Sequence, residues 1–249
     1  TEVSPNGRVA SNAASSRHSI IARTASRSNQ RPQLLSPLKT SAGGSPAPPR
    51  AMSFILAAPA SGSGKTTLLS LLSGLDKPTS GRVFLQDKDI TDKSEDDLAL
   101  LRKDMIGFVF QFFHLIPSLT ALENIMFPAE LKRDPAALEK AKKLLQRMGL
   151  DGRSGNFPHQ LSGGEMQRVA MCRALINNPK IIFADEPTGN LDSLNANEII
   201  ELLLRINKFG TTVLLVTHNR EVVNRLKRRV ITIDNGTIVS DQAIGKYIL

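Results

Sequence analysis

The chain is poor in the residues that staple or anchor a protein. A single cysteine, Cys172, stands among 249 residues, which excludes a disulfide framework and any cysteine-rich zinc site. Tryptophan is absent, tyrosine occurs once, and aromatics make up only 4% of the composition. None of them precedes Phe54. Long apolar runs are missing too. The stretches Lys180–Ala184 and Val213–Val216 are short and bounded by polar residues, far below the roughly 18 residues a membrane helix needs. The chain is therefore not expected to span a bilayer. Its 41% hydrophobic content suffices for one domain, or for one domain with a subdomain.

Acidic residues are scarce in one region only. Arg8, Arg17, Arg23, Arg27, Arg31, Lys39 and Arg50 face Glu2 alone in the first 60 residues, so only +3 of the formal +9 charge is left for residues 61–249. A remainder so close to neutral argues against a nucleic-acid partner. Residues 1–52 are rich in Ser, Ala, Pro and Arg and show no hydrophobic period. They read as a disordered tail, with an organelle transit peptide as the alternative.

From Ser61 the texture changes. Ser61-Gly-Ser-Gly-Lys-Thr-Thr67 leads into Leu68, Leu69, Leu71 and Leu72, an apolar helix face that should stop at Gly74 before Pro78. Glycines feeding a helix N-terminus aim backbone N–H groups and the positive end of the helix dipole at an anion, here phosphate. Lys65 then reaches the β/γ-phosphates and Thr66 can ligate Mg²⁺. A second element, Lys180-Ile-Ile-Phe-Ala-Asp-Glu-Pro187, is a buried strand ending in two carboxylates. Asp185 is placed to hold Mg²⁺ and Glu186 to polarise an attacking water. Between them, in Gln160-Leu-Ser-Gly-Gly-Glu-Met-Gln-Arg168, Ser162 can cap a helix whose N-terminal glycines, Gly163 and Gly164, form a second anion site.

Ser61–Thr67, Gln111, Leu161-Ser-Gly-Gly-Glu165, Asp185-Glu186, Asn190-Leu-Asp192 and His218 together resemble, in order and separation, the nucleotide-binding subunit of ABC transporters. The resemblance covers residues 61 to about 240. It implies an α/β fold in which a P-loop core with a mostly parallel sheet spans 53–249 and carries a helical subdomain over about 112–170. It also implies two copies paired head to tail, with ATP and Mg²⁺ held by Ser61, Gly62, Ser63, Gly64, Lys65, Thr66 and Thr67 of one copy. Ser162, Gly163, Gly164 and Glu165 of the other copy then close over the nucleotide. By the same resemblance Gln111 touches Mg²⁺ and senses the partner, Glu186 is the general base, Asp192 the D-loop acid and His218 the switch histidine on the γ-phosphate. His114 and His159 lack that context and read as surface residues.

The stretches Phe108–Asn124 and Ala184–Asp192 look like the ATPases of the lipoprotein-release, macrolide-export and cell-division group. Such proteins are peripheral, on the cytoplasmic face of the bacterial plasma membrane, and serve a membrane-spanning permease subunit. Phe112, Phe113, Leu115 and Ile116 read either as an exposed groove for that partner or as core. Arg228–Val239 predicts a hairpin turning at Asn235-Gly236.

Pro59 stands where the phosphate-loop pattern wants its first glycine. The strands and the adenine-stacking aromatic that this family carries upstream are not evident in residues 1–53, and only Ser53–Ala57 reads as a strand feeding the loop. The break inside the motif suggests that residues upstream of about Ser61 are mistranslated, through a frameshift or a gene-model error. A folded but catalytically defective domain is the alternative to a working ATPase. A soluble, non-transport ABC ATPase is a further one.

Overall fold

The computed structural model describes residues 20–23, 53–57, 64–86 and 88–247, with backbone alone for Ile20–Arg23 and Ser53. The strands are β1 (Ile20–Arg23), β2 (Ser53–Ala57), β3 (Arg82–Leu85), β4 (Lys88–Asp89), β5 (Ile106–Phe110), β6 (Ile181–Asp185), β7 (Thr212–Thr217), β8 (Arg229–Asp234) and β9 (Thr237–Gln242). The helices are α1 (Lys65–Leu72), α2 (Glu95–Met105), α3 (Ala121–Glu130), α4 (Ala137–Arg147), α5 (Gly163–Leu175), α6 (Ser193–Lys208) and α7 (Arg220–Leu226).

The larger sheet runs β5-β6-β7-β2-β8-β9. Its first five strands are parallel, and β9 closes the edge antiparallel to β8. Every residue of β7 is buried, the pattern of a parallel strand covered on both faces. Its alternation divides the core. Leu214 and Val216 pack on one face with Phe54, Leu56, Phe183 and Leu69 of α1. Val213 and Leu215 pack on the other with Ile182 and with Ile199 and Leu203 of α6. The β8–β9 hairpin turns at Asn235 and Gly236, both with positive φ (46° and 73°), as the sequence predicts.

Helices α3, α4 and α5 enclose a separate core that includes Ile125, Leu145, Leu150, Val169 and Cys172. Burial pushes the Cys172 thiol up to about 12, so it is an inert packing residue. Helix α3 starts on a reciprocal cap between Thr120 and Glu123. Asn124, fully buried, donates its amide to the carbonyls of Ile116, Leu119 and Thr120 and accepts from the Ile116 N–H. That bonding ties the loop after β5 to the helices.

The reading of residues 1–53 as strandless meets an exception. Ile20–Arg23 forms β1, antiparallel to β3, in a small sheet of order β1-β3-β4. Four residues are too few for a period to show, and the choice rests on the open edge of β3, a long-range pairing. The rest of the leader and Pro59 lie outside the described residues.

Candidate functional site

Register brings the predicted residues to one edge of the sheet. Phe110 pairs with Asp185, Asp185 with Val216, and Thr217 with Ala57. Gln111, Glu186 and His218 therefore leave their strands at the same, carboxyl end. Open α/β sheets bind ligands in this crevice.

The helix behind β2 enters this edge at Gly64. Its φ of 93° is left-handed, and α1 has neither a side-chain cap bond nor an acidic residue in its first turn, so the helix dipole is not cancelled locally. Lys65 is buried, at 7% exposure. Thr66 Oγ1 donates to Asp185 Oδ2 at 3.5 Å. Burial first, and the charge of Glu186 second, hold the Asp185 carboxyl above its usual range, while the Thr66 bond and the charge of Lys65 pull the other way. A cation would relieve this crowding. A hydroxyl and a half-buried carboxylate are hard oxygen donors of the kind Mg²⁺ takes, one or two from protein with the rest from water and phosphate. The residues present therefore fit that ion. No group of three or more His, Cys, Asp or Glu able to hold a metal occurs among the described residues. Thr67 is exposed, and Ser61, Gly62 and Ser63 lie outside the described residues.

Glu186 has a φ of 44°, a strained setting for a residue with a side chain. Its N–H donates to Val216 O at 3.0 Å, and its carbonyl accepts from Gly189 N at 3.0 Å across a turn through Pro187. His218 Nδ1 lies 2.7 Å from Glu186 Oε1. A carboxylate accepts only, so in this pair Nδ1 is the donor, and Nε2 is the ring nitrogen not engaged by Glu186. Gln111 turns to Asn190: its Nε2 donates to Asn190 Oδ1 at 3.0 Å, and Asn190 Nδ2 donates back to the Gln111 carbonyl at 3.2 Å.

The second glycine element sits at the start of α5. Ser162 caps the helix, Glu165 bonds back to the Ser162 N–H at 2.8 Å, and Arg153 Nε donates to Glu165 Oε1 at 2.8 Å. The Ser162 N–H bond is the main reason, and Arg153 a smaller one, that the Glu165 carboxyl lies below its usual range. Asp192 caps α6 and accepts from the Asn195 N–H at 2.9 Å, the leading cause of its own lowered pKa. The two caps meet where Gly164 faces Asn195: a Cβ on Gly164 would lie 2.1 Å from Asn195 Oδ1. Gly163 lies against Leu191 and the Asn190 carbonyl. Among the described residues, then, most of the predicted set falls into two groups, while Gln111 is bonded to Asn190 and belongs to neither. Thr66, Asp185, Glu186 and His218 make one, and Ser162, Glu165, Gly164 and Asp192 line the seam of α5 and α6.

Of the four residues offered as a groove, Phe112 stands out at 68% exposure, whereas Leu115 packs on the helical core. His114 stacks on Phe110 at 4.9 Å and His159 on Phe157 at 6.0 Å. Sequence reasoning missed three polar side chains that hold the site, Asn195, Gln167 and Arg173, and gave Asn190 a place in a motif but no contact of its own. Arg173 donates to the carbonyls of Phe113 (2.8 Å) and His114 (2.5 Å), whose φ values are 60° and 48°. Polar residues within an otherwise apolar helix face were the available signal for Gln167.

The ABC transporter family profile matches residues 59–189. The lipoprotein-releasing system ATP-binding protein LolD of Aquifex aeolicus (strain VF5) is 47% identical over 190 residues, covering 76% of this chain and 84% of that protein. The macrolide export ATP-binding/permease protein MacB of Bdellovibrio bacteriovorus (strain ATCC 15356 / DSM 50701 / NCIMB 9529 / HD100) is 46% identical over 184 residues, 74% of this chain but only 28% of that longer protein. A dimeric structure of the ATP-binding cassette MJ0796, in a post-hydrolysis state bound to ADP and Pi, superposes with a TM-score of 0.73 at 34% identity, covering 92% of this chain and all of that one. With the profile spanning more than half of it, and with nearly half its aligned residues shared with a relative it largely covers, the chain belongs to the ABC transporter family.

Proposed function

We propose that the chain is the ATP-binding and ATP-hydrolysing subunit of an ABC-type membrane complex and works as a head-to-tail pair. The observation that carries this reading is the Glu186–His218 hydrogen bond standing beside the Thr66–Asp185 pair at the carboxyl edge of the sheet. The start of α1 and Lys65 take the nucleotide phosphates, with Ser61–Ser63 completing the loop. Thr66 and Asp185, with Gln111, are the residues that would hold Mg²⁺, which when bound would neutralise charge on the phosphate oxygens. His218 fixes one carboxylate oxygen of Glu186, so the other accepts a proton from the attacking water. That water oxygen bonds to the terminal phosphorus as the bond to ADP breaks, and the proton passes from Glu186 to solvent. The Nε2 atom of His218 contacts the γ-phosphate.

Ser162, Gly163 and Gly164 of a second copy close over the nucleotide, with Asp192 at the same seam. The dimeric MJ0796 cassette supports this pairing. The macrolide-export relative, an ATP-binding/permease protein, supports a permease partner, beside which the chain would sit on the cytoplasmic face of the membrane. No helix among the described residues is long and apolar enough to cross a membrane, and the exposed Phe112 ring is a contact that such a partner would cover.

Replacing Glu186 with Gln tests the reading. Phosphate release by the full chain should fall about 100-fold or more, the usual worth of a general base, while binding of a fluorescent ATP analogue persists. Unchanged turnover would remove Glu186 from the base role.

A further inference from the structure

Gln167 is completely buried, one helical turn beyond Gly163 on α5. Its amide nitrogen Nε2 donates to two carbonyls from different strands' ends: Pro187 O at 2.6 Å and Phe110 O at 3.3 Å. Pro187 directly follows Glu186, and Phe110 directly precedes Gln111. The other amide atom, Oε1, is buried without a hydrogen-bond partner. Turning the amide over would set Oε1 against two carbonyl oxygens, so the orientation follows from its neighbours. An unsatisfied buried acceptor is a cost, and here it accompanies a grip on both segments that carry predicted catalytic side chains.

We infer that Gln167 is a positioning residue for hydrolysis, locking the Pro187 turn so that Glu186 keeps its strained backbone and its bond to His218, and joining that turn to the helix that begins at Ser162. Glu186 sits at a φ of 44°, a setting that persists only where surrounding bonds over-determine it. Among the described residues three bonds to the backbone groups of Glu186 and Pro187 do so: Glu186 N to Val216 O, Gly189 N to Glu186 O, and Gln167 to Pro187 O. Only the last comes from a side chain. It also comes from the helix whose N-terminus the second copy's nucleotide would engage, so closure at Ser162 and the aim of Glu186 share one rigid element. The inference rests on the proposed role of Glu186 as base.

Gln167→Met, which keeps the volume and removes the donor, tests it in the full chain alongside Glu186→Gln. The expected result is a fall in kcat of about tenfold or more with the KM for ATP within about twofold. In single-turnover reactions the same change should cause little further loss on the Glu186→Gln background, because two changes acting through one group are not additive. Should the methionine variant not fold, Gln167→Asn takes its place, as its shorter amide cannot reach both carbonyls. A kcat within twofold of the natural chain, or a loss that multiplies fully with that of Glu186→Gln, overturns the positioning role. A Glu186→Gln variant with natural turnover would instead overturn the base assignment beneath it.

Discussion

Helices α1 and α5 both start in a glycine-rich stretch of sequence that marks an anion site, yet their N-termini are built in opposite ways. Helix α1 starts at left-handed Gly64 without a side-chain cap and without an acid in its first turn. Helix α5 starts at Ser162 with a complete reciprocal cap, and its first turn carries Glu165 paired to Arg153. A helix with two of its N-terminal donors answered by its own serine and glutamate needs a ligand less and offers an incoming phosphate less. One left without such a cap gains most from an anion. The contrast fits a division of labour in which the α1 end binds nucleotide within one copy, while the α5 end joins only when a second copy brings its nucleotide close.

The largest expected effect tests that division. Lys65→Ala should abolish measurable ATP binding by the full chain, read with a fluorescent analogue. Ser162→Ala should leave that binding within about twofold and lower turnover, besides costing about 1 kcal/mol of stability for the lost cap. Equal loss of binding in both variants would erase the distinction.

A smaller effect is expected from Gly164→Ala. The added methyl would collide with Asn195 Oδ1, and Asn195 Nδ2 is held at 2.6 Å by Asp192, so the amide cannot swing away freely. Overpacking of this kind costs about 1–3 kcal/mol, which would lower Tm by several degrees for a domain of this size. Thermal unfolding at an unchanged Tm would show the α5–α6 seam to be slack.

The smallest concerns Glu165 and pH. Its folded pKa lies below the usual carboxylate value of 4.5, so the ionised form is favoured by folding. Its stabilising contribution is complete above the unfolded value and disappears as pH falls through the lower, folded one. Glu165→Gln keeps the capping geometry and drops the charge. Below about pH 4.5 the natural chain should therefore lose Tm more steeply than the variant, by an amount limited by the partial exposure of the Arg153 pair. Parallel Tm-against-pH curves would show that the charge of Glu165 contributes nothing to the cap.

Much of this was legible in the sequence because the signals are local. The α1 stop near Gly74, the strands before Asp185 and His218, the Ser162 cap and the Asn235-Gly236 turn each depend on a few consecutive residues, and each stands as expected. Expectations that needed a distant partner fared differently. Strand β1 emerged from a leader with no hydrophobic period because β3 offered an edge. The apolar run after Gln111 divided between an exposed Phe112 and a packed Leu115, since their neighbours come from helices further along the chain.

By itself the sequence determined the helix and strand periods, the placement of glycine, serine and carboxylate at element ends, and with them the family, because these follow from bonding among near neighbours. Only the tertiary structure decided that Phe110, Asp185 and Val216 stand in one register, which sets Glu186 against His218, and that Gln167 reaches two strands' ends at once. Those contacts span tens of residues. No local propensity specifies them; they follow from how the shared sheet and the helices around it pack to bury their apolar faces.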